Sequence, residues 1–224
     1  MAAQHIVIVE DHGLIAHTLA AALTRTGKTV DVVPPPEEGD LLTAFGDHVP
    51  DLVLLDLDLG PWGDATSLIA PVTAAGVPVL MVTGVEDPVR KAACVAAGAV
   101  GVVSKSLGFD DLFEAINRTL RDGTLLTEHE RQEQLALLRA HEREERERLA
   151  PFEELSQREA HVLGELMAGR SVEEVATASF VSVTTVRTQI RAILSKLGVS
   201  SQVAAIGRAR DAGWVPPQER EPDS

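Results

Sequence analysis

His5-Ile6-Val7-Ile8-Val9 runs straight into Glu10-Asp11, and Leu52-Val53-Leu54-Leu55 runs straight into Asp56. A strand with one wet face alternates apolar and polar residues, whereas a strand covered on both faces reads as unbroken Val, Ile and Leu. Both stretches are of the second kind. Working outward, similar runs recur at Thr29 to Val33, Val77 to Val82 and Val100 to Val103, and the run at Leu52 extends to Leu57. Helical patterns lie between them at Leu14 to Arg25, Leu41 to Phe45, Ala65 to Ala74, Pro88 to Ala97 and Phe109 to Arg121, several closed by a glycine such as Gly27, Gly76 or Gly98. Five buried strands alternating with helices predict an α/β fold, a doubly wound parallel sheet over residues 1–123. In such sheets ligands bind at the carboxyl ends of the strands, where both acidic runs end.

Composition divides the chain of 224 residues into regions of different character. Residues 1–123 hold 17 Asp and Glu against 7 Lys and Arg, which places most of the net charge of −14 in the first half. Phe180 to Arg210, by contrast, carries Arg187, Arg191, Lys196, Arg208 and Arg210 and no acid. A basic stripe inside an acidic protein keeps nucleic acid open as a partner, because the local field near a phosphate outweighs the total charge. The single cysteine, Cys94, excludes an intramolecular disulfide and a cysteine zinc site and reads as a small buried apolar residue. The N-terminus lacks the pattern of a signal peptide, and no run reaches the roughly 20 apolar residues that cross a bilayer. A soluble, cytoplasmic protein is expected.

Glu128 to Leu149 is dense in Glu and Arg, with a thin apolar set at Leu135, Ala136, Leu137, Leu138, Ala140 and Leu149. It reads as a solvated helix, part of a charged linker over residues 124–152, and it is expected to stop before Pro151. A coiled-coil dimer through Leu135, Leu138 and Leu149 is an alternative, although Glu142 interrupts that seam. Residues 153–215 predict an all-α domain of four helices, near Gln157 to Ala168, Val172 to Ala178, Val183 to Leu197 and Ser201 to Asp211. Ser156 with Glu159 and Ser171 with Glu174 fit the capping box, Ser182 can cap the third helix, and Gly169 and Gly198 suit left-handed C-terminal caps. Residues 216–224 are expected to be a disordered tail.

Glu10, Asp11 and Asp56 fall at strand ends that this topology makes neighbours. Crowded carboxylates repel unless a cation lies among them, and Mg2+ suits a few carboxylates, a carbonyl and waters. Thr83 ends the fourth strand and Lys105 the fifth. A cation-holding pocket with a carboxylate nucleophile, a hydroxyl and an ammonium meets the needs of phosphoryl transfer to Asp. The set resembles the receiver domain of two-component response regulators, with its flavodoxin-like fold, over residues 4–122. The resemblance rests on Glu10-Asp11, Asp51-Leu52-Val53-Leu54-Leu55-Asp56, Thr83-Gly84 and Ser104-Lys105. It implies that Asp56 accepts phosphate from a sensor histidine kinase. Glu10, Asp11, Asp56 and the Asp58 backbone carbonyl would bind Mg2+, while Thr83 and Lys105 would meet the phosphoryl group. Two departures stand out: Val102 replaces the family's usual aromatic, and Leu59-Gly60-Pro61-Trp62-Gly63 replaces its usual Met-Pro.

The second domain resembles the LuxR-type helix-turn-helix of the NarL/FixJ class. The resemblance rests on Leu155-Ser156-Gln157-Arg158-Glu159, Val162-Leu163, Ala168-Gly169, Glu174-Val175-Ala176, Val181 to Arg187 and Ile193 to Val199. In the third helix Val183, Val186, Ile190, Ile193, Leu194 and Leu197 recur at spacings of three and four and predict a buried face. Thr184, Thr185, Arg187, Thr188 and Arg191 then face outward. Arg187, Thr188 and Arg191 suit base edges or groove phosphates of duplex DNA, and Lys196, Arg208 and Arg210 suit phosphates. Gln189 and Glu173 stand where His or Tyr and Lys are frequent in the family.

These readings predict a DNA-binding transcription regulator, not an enzyme, controlled by phosphorylation of Asp56 and acting as a homodimer. Two alternatives stay open: a phosphate-independent regulator whose receiver serves dimerisation or ligand sensing, and a phosphorelay intermediate. The seven histidines, His5, His12, His17, His48, His129, His141 and His161, show no metal-ligand spacing, Trp62 suits a lid or partner contact, and Trp214 is expected to close the last helix.

Overall fold

The computed structural model describes residues 3–35, 41–45 and 49–217. Two compact units emerge, residues 1–140 and 141–224. In the first, strands β1 (His5–Val9), β2 (Thr29–Val33), β3 (Leu52–Leu55), β4 (Val79–Thr83) and β5 (Gly101–Ser104) form one parallel sheet in the order β2-β1-β3-β4-β5. Helices α1 (Gly13–Thr24), α2 (Thr66–Ala74), α3 (Pro88–Ala96) and α4 (Phe109–Asp122) connect them.

The unbroken apolar runs are explained by two cores, one on each face of the sheet. Ile6, Ile8, Leu52, Leu54, Leu80 and Val82 pack with Ala16, Leu19 and Leu23 of α1 and Leu112 and Ile116 of α4. Val7, Val9, Val53, Leu55, Val79 and Met81 pack with Ile69 and Val72 of α2 and Cys94 of α3. Burial of each such Val, Leu or Ile contributes about 1.5–3 kcal/mol, so the inner strands hold their register by having no face free to slip to water.

The elements differ from expectation at several ends. β3 stops at Leu55 because the Asp56 carboxylate accepts the N–H of Leu57 at 2.7 Å and draws the chain out of the ladder. β4 begins at Val79, since Pro78 has no N–H to give to the sheet. Leu41–Phe45 forms a 3-10 helix instead of an α-helix. After α4 the chain folds back, and the N–H groups of Leu125 and Leu126 donate to the Val100 carbonyl at 3.0 and 3.3 Å. Leu125 lies so close over β5 that a Cβ on Gly101 would come within 2.7 Å of it, which explains why the strand opens on glycine.

Helix α5 (Glu128–Glu153) runs through Pro151, against the expectation that it would end before it. An interior proline costs about 3 kcal/mol through its missing N–H and its clash with the preceding turn. Phe152, just beyond it, is 4 % exposed in the second unit's core and stacks on Trp214 with ring centroids 5.4 Å apart, while Leu149 packs beside it. That burial is of similar size, and it carries the helix one turn further.

The second unit contains α6 (Gln157–Met167), α7 (Val172–Ala178), α8 (Val183–Lys196) and α9 (Gln202–Asp211). Both expected capping boxes form, at Ser156 with Glu159 and at Ser171 with Glu174, and Ser182 accepts the N–H of Thr185. The α8 stripe packs as expected: Val186, Ile193 and Leu197 are buried, with Val183, Ile190 and Leu194 against the same core. Of the expected tail, Pro216 packs at Gly164, and residues 218–224 lie outside the described residues. His48 also lies outside them.

Candidate functional sites

The register of the sheet sets the first site. Val9 of β1 lies opposite Leu55 of β3, and the N–H of Asp56 donates to the Val9 carbonyl at 3.0 Å, so Glu10 and Asp56 leave the sheet at one level. Glu10 is 8 % and Asp56 5 % exposed. Carboxylates so buried require opposite charge. Lys105, following β5, supplies it: its Nζ lies 2.5 Å from Glu10 Oε2 and 2.7 Å from Asp56 Oδ2. Burial opposes the charge on Lys105, but the hydrogen bonds and attraction of Asp56 and Glu10 outweigh that and hold its pKa above the usual lysine value.

His12 is the residue that sequence reasoning set aside and the structure brings in. Its Nδ1 lies 2.7 Å from Asp11 Oδ1 and 3.2 Å from Glu10 Oε1, and one donor atom each from Glu10, Asp11, His12 and Asp56 fall within 4.8 Å of one another. The hydrogen bond to Asp11, then the attraction of that carboxylate and the bond to Glu10, raise the His12 pKa above its ordinary value. The available signal was its place directly after Glu10-Asp11, where the chain turns into α1.

Thr83 is fully buried at the end of β4, and its hydroxyl accepts the N–H of Val85 at 3.1 Å. The Lys105 N–H donates to the Thr83 carbonyl at 2.8 Å, which ties the two strand ends together. Beside them the Ser104 hydroxyl donates to Glu86 at 3.2 Å and Lys91 pairs with Glu86 at 3.0 Å. Val102 and Val85 pack against the same core, so the loop after Thr83 is held by these polar ties and small aliphatic contacts in place of a ring. Asp58 forms a bridge with Asp64 across the loop containing Trp62, which is 42 % exposed. Gly60 in that loop has φ +57°, and a Cβ there would meet Asp11 Oδ2 at 2.5 Å, so the loop approaches the acidic cleft through glycine.

The second site lies on α8. Thr184, Thr185, Arg187, Thr188 and Arg191 are exposed. Thr185 also belongs to the helix cap through Ser182, and the Thr188 hydroxyl donates to the Thr184 carbonyl at 3.0 Å. Arg187 stands 3.7 Å from Glu173 of α7. Lys196 is placed differently from the expectation: its Nζ donates to the Glu159 carboxylate at 2.7 Å and to the Glu154 carbonyl at 2.9 Å, inside the domain. Arg208 donates to the Leu197 carbonyl and Arg210 to the Met167 carbonyl, so both satisfy helix C-terminal acceptors that water or a backbone cap would otherwise take. The sequence showed five cations in an acid-free stretch; three of them are bound internally.

The chain thus joins an acidic cleft at the carboxyl edge of a parallel sheet to a unit of short capped helices with an exposed basic helix face. Residues 6–117 match the response regulator receiver domain, and residues 153–209 match the bacterial regulatory proteins of the luxR family. The chain is 28 % identical over 207 residues to the "Probable transcriptional regulatory protein NarL" of Mycobacterium tuberculosis, covering 91 % of this chain and 92 % of that protein. It is likewise 28 % identical over 213 residues to the "Glycerol metabolism activator" of Pseudomonas putida, covering 94 % and 96 %. Full-length FixJ from B. japonicum is similar at 22 % identity, with a TM-score of 0.47 and 95 % of this chain and 98 % of that one covered. The chain belongs to the two-component response regulators with a LuxR-type DNA-binding domain, a family of transcription regulators and not of enzymes. Among the described residues, no helix is long and apolar enough to cross a membrane.

Proposed function

We propose that Asp56 accepts a phosphoryl group from a sensor histidine kinase in the cytoplasm, and that the modified chain binds promoter DNA as a homodimer through α8. The observation that carries this reading is the convergence of Glu10, Asp11 and Asp56 with Lys105, whose ammonium touches the Asp56 carboxylate. In the transfer an Asp56 oxygen forms the new P–O bond as the P–N bond of phosphohistidine breaks and the imidazole leaves with the electron pair. The carboxylates of Glu10, Asp11 and Asp56 and the carbonyl of Asp58 would hold Mg2+, which when bound neutralises the charge gathered on the phosphoryl oxygens. The donor set fits that ion: three carboxylates are drawn together, and Lys105 and His12 answer their charge. Lys105, already between Glu10 and Asp56, then has the phosphoryl group as a third anion within reach, and the Thr83 hydroxyl, one strand away, would donate to a phosphoryl oxygen.

On α8, Arg187 and Arg191 are one turn apart on the exposed face and suit guanine edges or groove phosphates, with Thr184, Thr185 and Thr188 beside them. Lys196 serves this reading as an internal clamp of α8 on α6. Beryllium fluoride with Mg2+ tests the control step: it should raise the molecular mass in solution and tighten binding to selected genomic DNA. Val102, with its loop tied through Glu86 and Ser104, favours a second reading in which the receiver dimerises without phosphate. An unchanged mass and DNA affinity under beryllium fluoride would select that reading.

A further inference from the structure

Helices α6, α8 and α9 close on Gly169, Gly198 and Gly213, at φ +87°, +61° and +65°. Each is the left-handed position directly after the C-cap, where glycine meets no Cβ clash. Helix α7 closes in the same way on Phe180, at φ +52°, and among the described residues no other non-glycine residue has a positive φ. The cap itself is complete: the Phe180 N–H donates to the Thr177 carbonyl at 3.2 Å and the Val181 N–H to the Ala176 carbonyl at 3.0 Å. A bulky side chain is strained there. The ring gains no packing in exchange, since Phe180 is 96 % exposed. Beside it the Ser179 hydroxyl oxygen is buried without a hydrogen-bond partner. Strain that persists at an exposed aromatic ring points to a contact outside the fold.

The place of the turn identifies that contact. Phe180 lies two residues before Ser182, the N-cap of α8, so its Cα is at most about 7 Å from the start of that helix. Val181 between them is 40 % exposed, and the exposed Thr184 and Thr185 continue the surface onto α8. A recognition helix meets base edges with its N-terminal residues. With its side chains a helix is about 10–12 Å across and fills a major groove about 12 Å wide, so the chain that leads into it passes against the sugar-phosphate wall. The sugars are the apolar part of that wall. We propose that Phe180 packs its ring on a deoxyribose at the rim of the groove that α8 enters, a contact that adds affinity without neutralising a phosphate. This rests on the reading of α8 as the DNA-binding helix.

Phe180→Asn in the full chain tests the proposal, because asparagine accepts the left-handed conformation and the exposed ring leaves no packing to lose. The variant should melt a few degrees higher than wild type, followed through Trp214 in a Trp62→Phe background. Its affinity for a selected genomic fragment should fall about 5- to 10-fold, the effect of burying part of an aromatic ring. The slope of log affinity against log salt should not change, since no phosphate contact is lost. Hydroxyl-radical cleavage of the saturated complex should reach sugars at the groove rim that the wild type protects. Wild-type affinity in Phe180→Asn, with Arg191→Ala weakened, would overturn the Phe180 contact and leave α8 as the DNA-binding helix. A melting temperature below the wild type's would also overturn it, by making the ring structural. An affinity loss that tracks a loss of mass in sedimentation would do the same, by assigning the ring to a contact between two copies of the chain. Full affinity in both Phe180→Asn and Arg191→Ala would overturn the α8 reading, and the proposal with it.

Discussion

The receiver cleft and the outer face of α8 use charge in opposite ways. In the cleft Glu10 and Asp56 are buried and Lys105 is pinned between them, whereas on α8 Arg187 and Arg191 are exposed and the contact from Glu173 to Arg187 is 3.7 Å long. Removing one partner of a buried pair leaves an uncompensated charge and costs several kcal/mol, while an exposed pair is worth about 0–1 kcal/mol. The cleft is thus built to hold charges in place, and the helix face to leave them free for a partner.

The largest effect should come from breaking the buried side. Lys105→Ala leaves Glu10 and Asp56 facing each other, so the receiver should lose about 3 kcal/mol in urea unfolding, with part of the loss restored by excess Mg2+. Trp62 fluorescence in a Trp214→Phe background reports it. On the exposed side the cost should appear in binding and not in folding: Arg191→Ala should weaken specific DNA binding by about 1–3 kcal/mol at unchanged stability. Anisotropy titrations on a selected fragment read the first quantity and thermal unfolding the second.

The pair of Glu159 and Lys196 sharpens the contrast, because it is a cleft-like pair inside the DNA-binding unit. Burial of Glu159 works against its charge, but Lys196 and the Ser156 N–H and hydroxyl overcome this and hold its pKa below the usual glutamate value. A lowered folded pKa gives stability that is present above the unfolded value of about 4.3 and is lost as pH falls through the folded value. Glu159→Gln should therefore cost about 1–2 kcal/mol at pH 7, and its difference from wild type should fade below about pH 4, followed through Trp214 in a Trp62→Phe background. The smallest effect is expected at Glu173. Glu173→Lys should tighten DNA binding by less than about 1 kcal/mol and steepen the dependence on log salt by about one unit, the mark of one added phosphate contact.

The same contrast decides what could be read from the sequence. Near-continuous apolar runs identified the inner strands, whereas the edge strand β2, interrupted by Asp31, has no buried residue; the acids ending β1 and β3 marked the cleft, because proximity at strand ends follows from topology alone. The capping boxes at Ser156 and Ser171 were equally plain, since their partners lie three residues away. Most of what escaped depends on contacts between residues far apart in sequence. Phe152 carries α5 through Pro151 only because Trp214 is there to receive it. Lys196, Arg208 and Arg210 look like free cations until Glu159 and the carbonyls of Glu154, Leu197 and Met167 come within reach. His12 looked isolated among scattered histidines, and the turn into α1 brings its ring over its two neighbours in sequence.

The most direct test of the account is the site of acyl phosphate formation. Incubated with acetyl phosphate and Mg2+, the full chain should gain the mass of one phosphoryl group, borohydride reduction should map it to Asp56, and Asp56→Asn should gain nothing. A label of equal yield on Asp56→Asn, or none on the wild type, would contradict the claim that Glu10, Asp11, Asp56, Thr83 and Lys105 make one phosphate-accepting cleft.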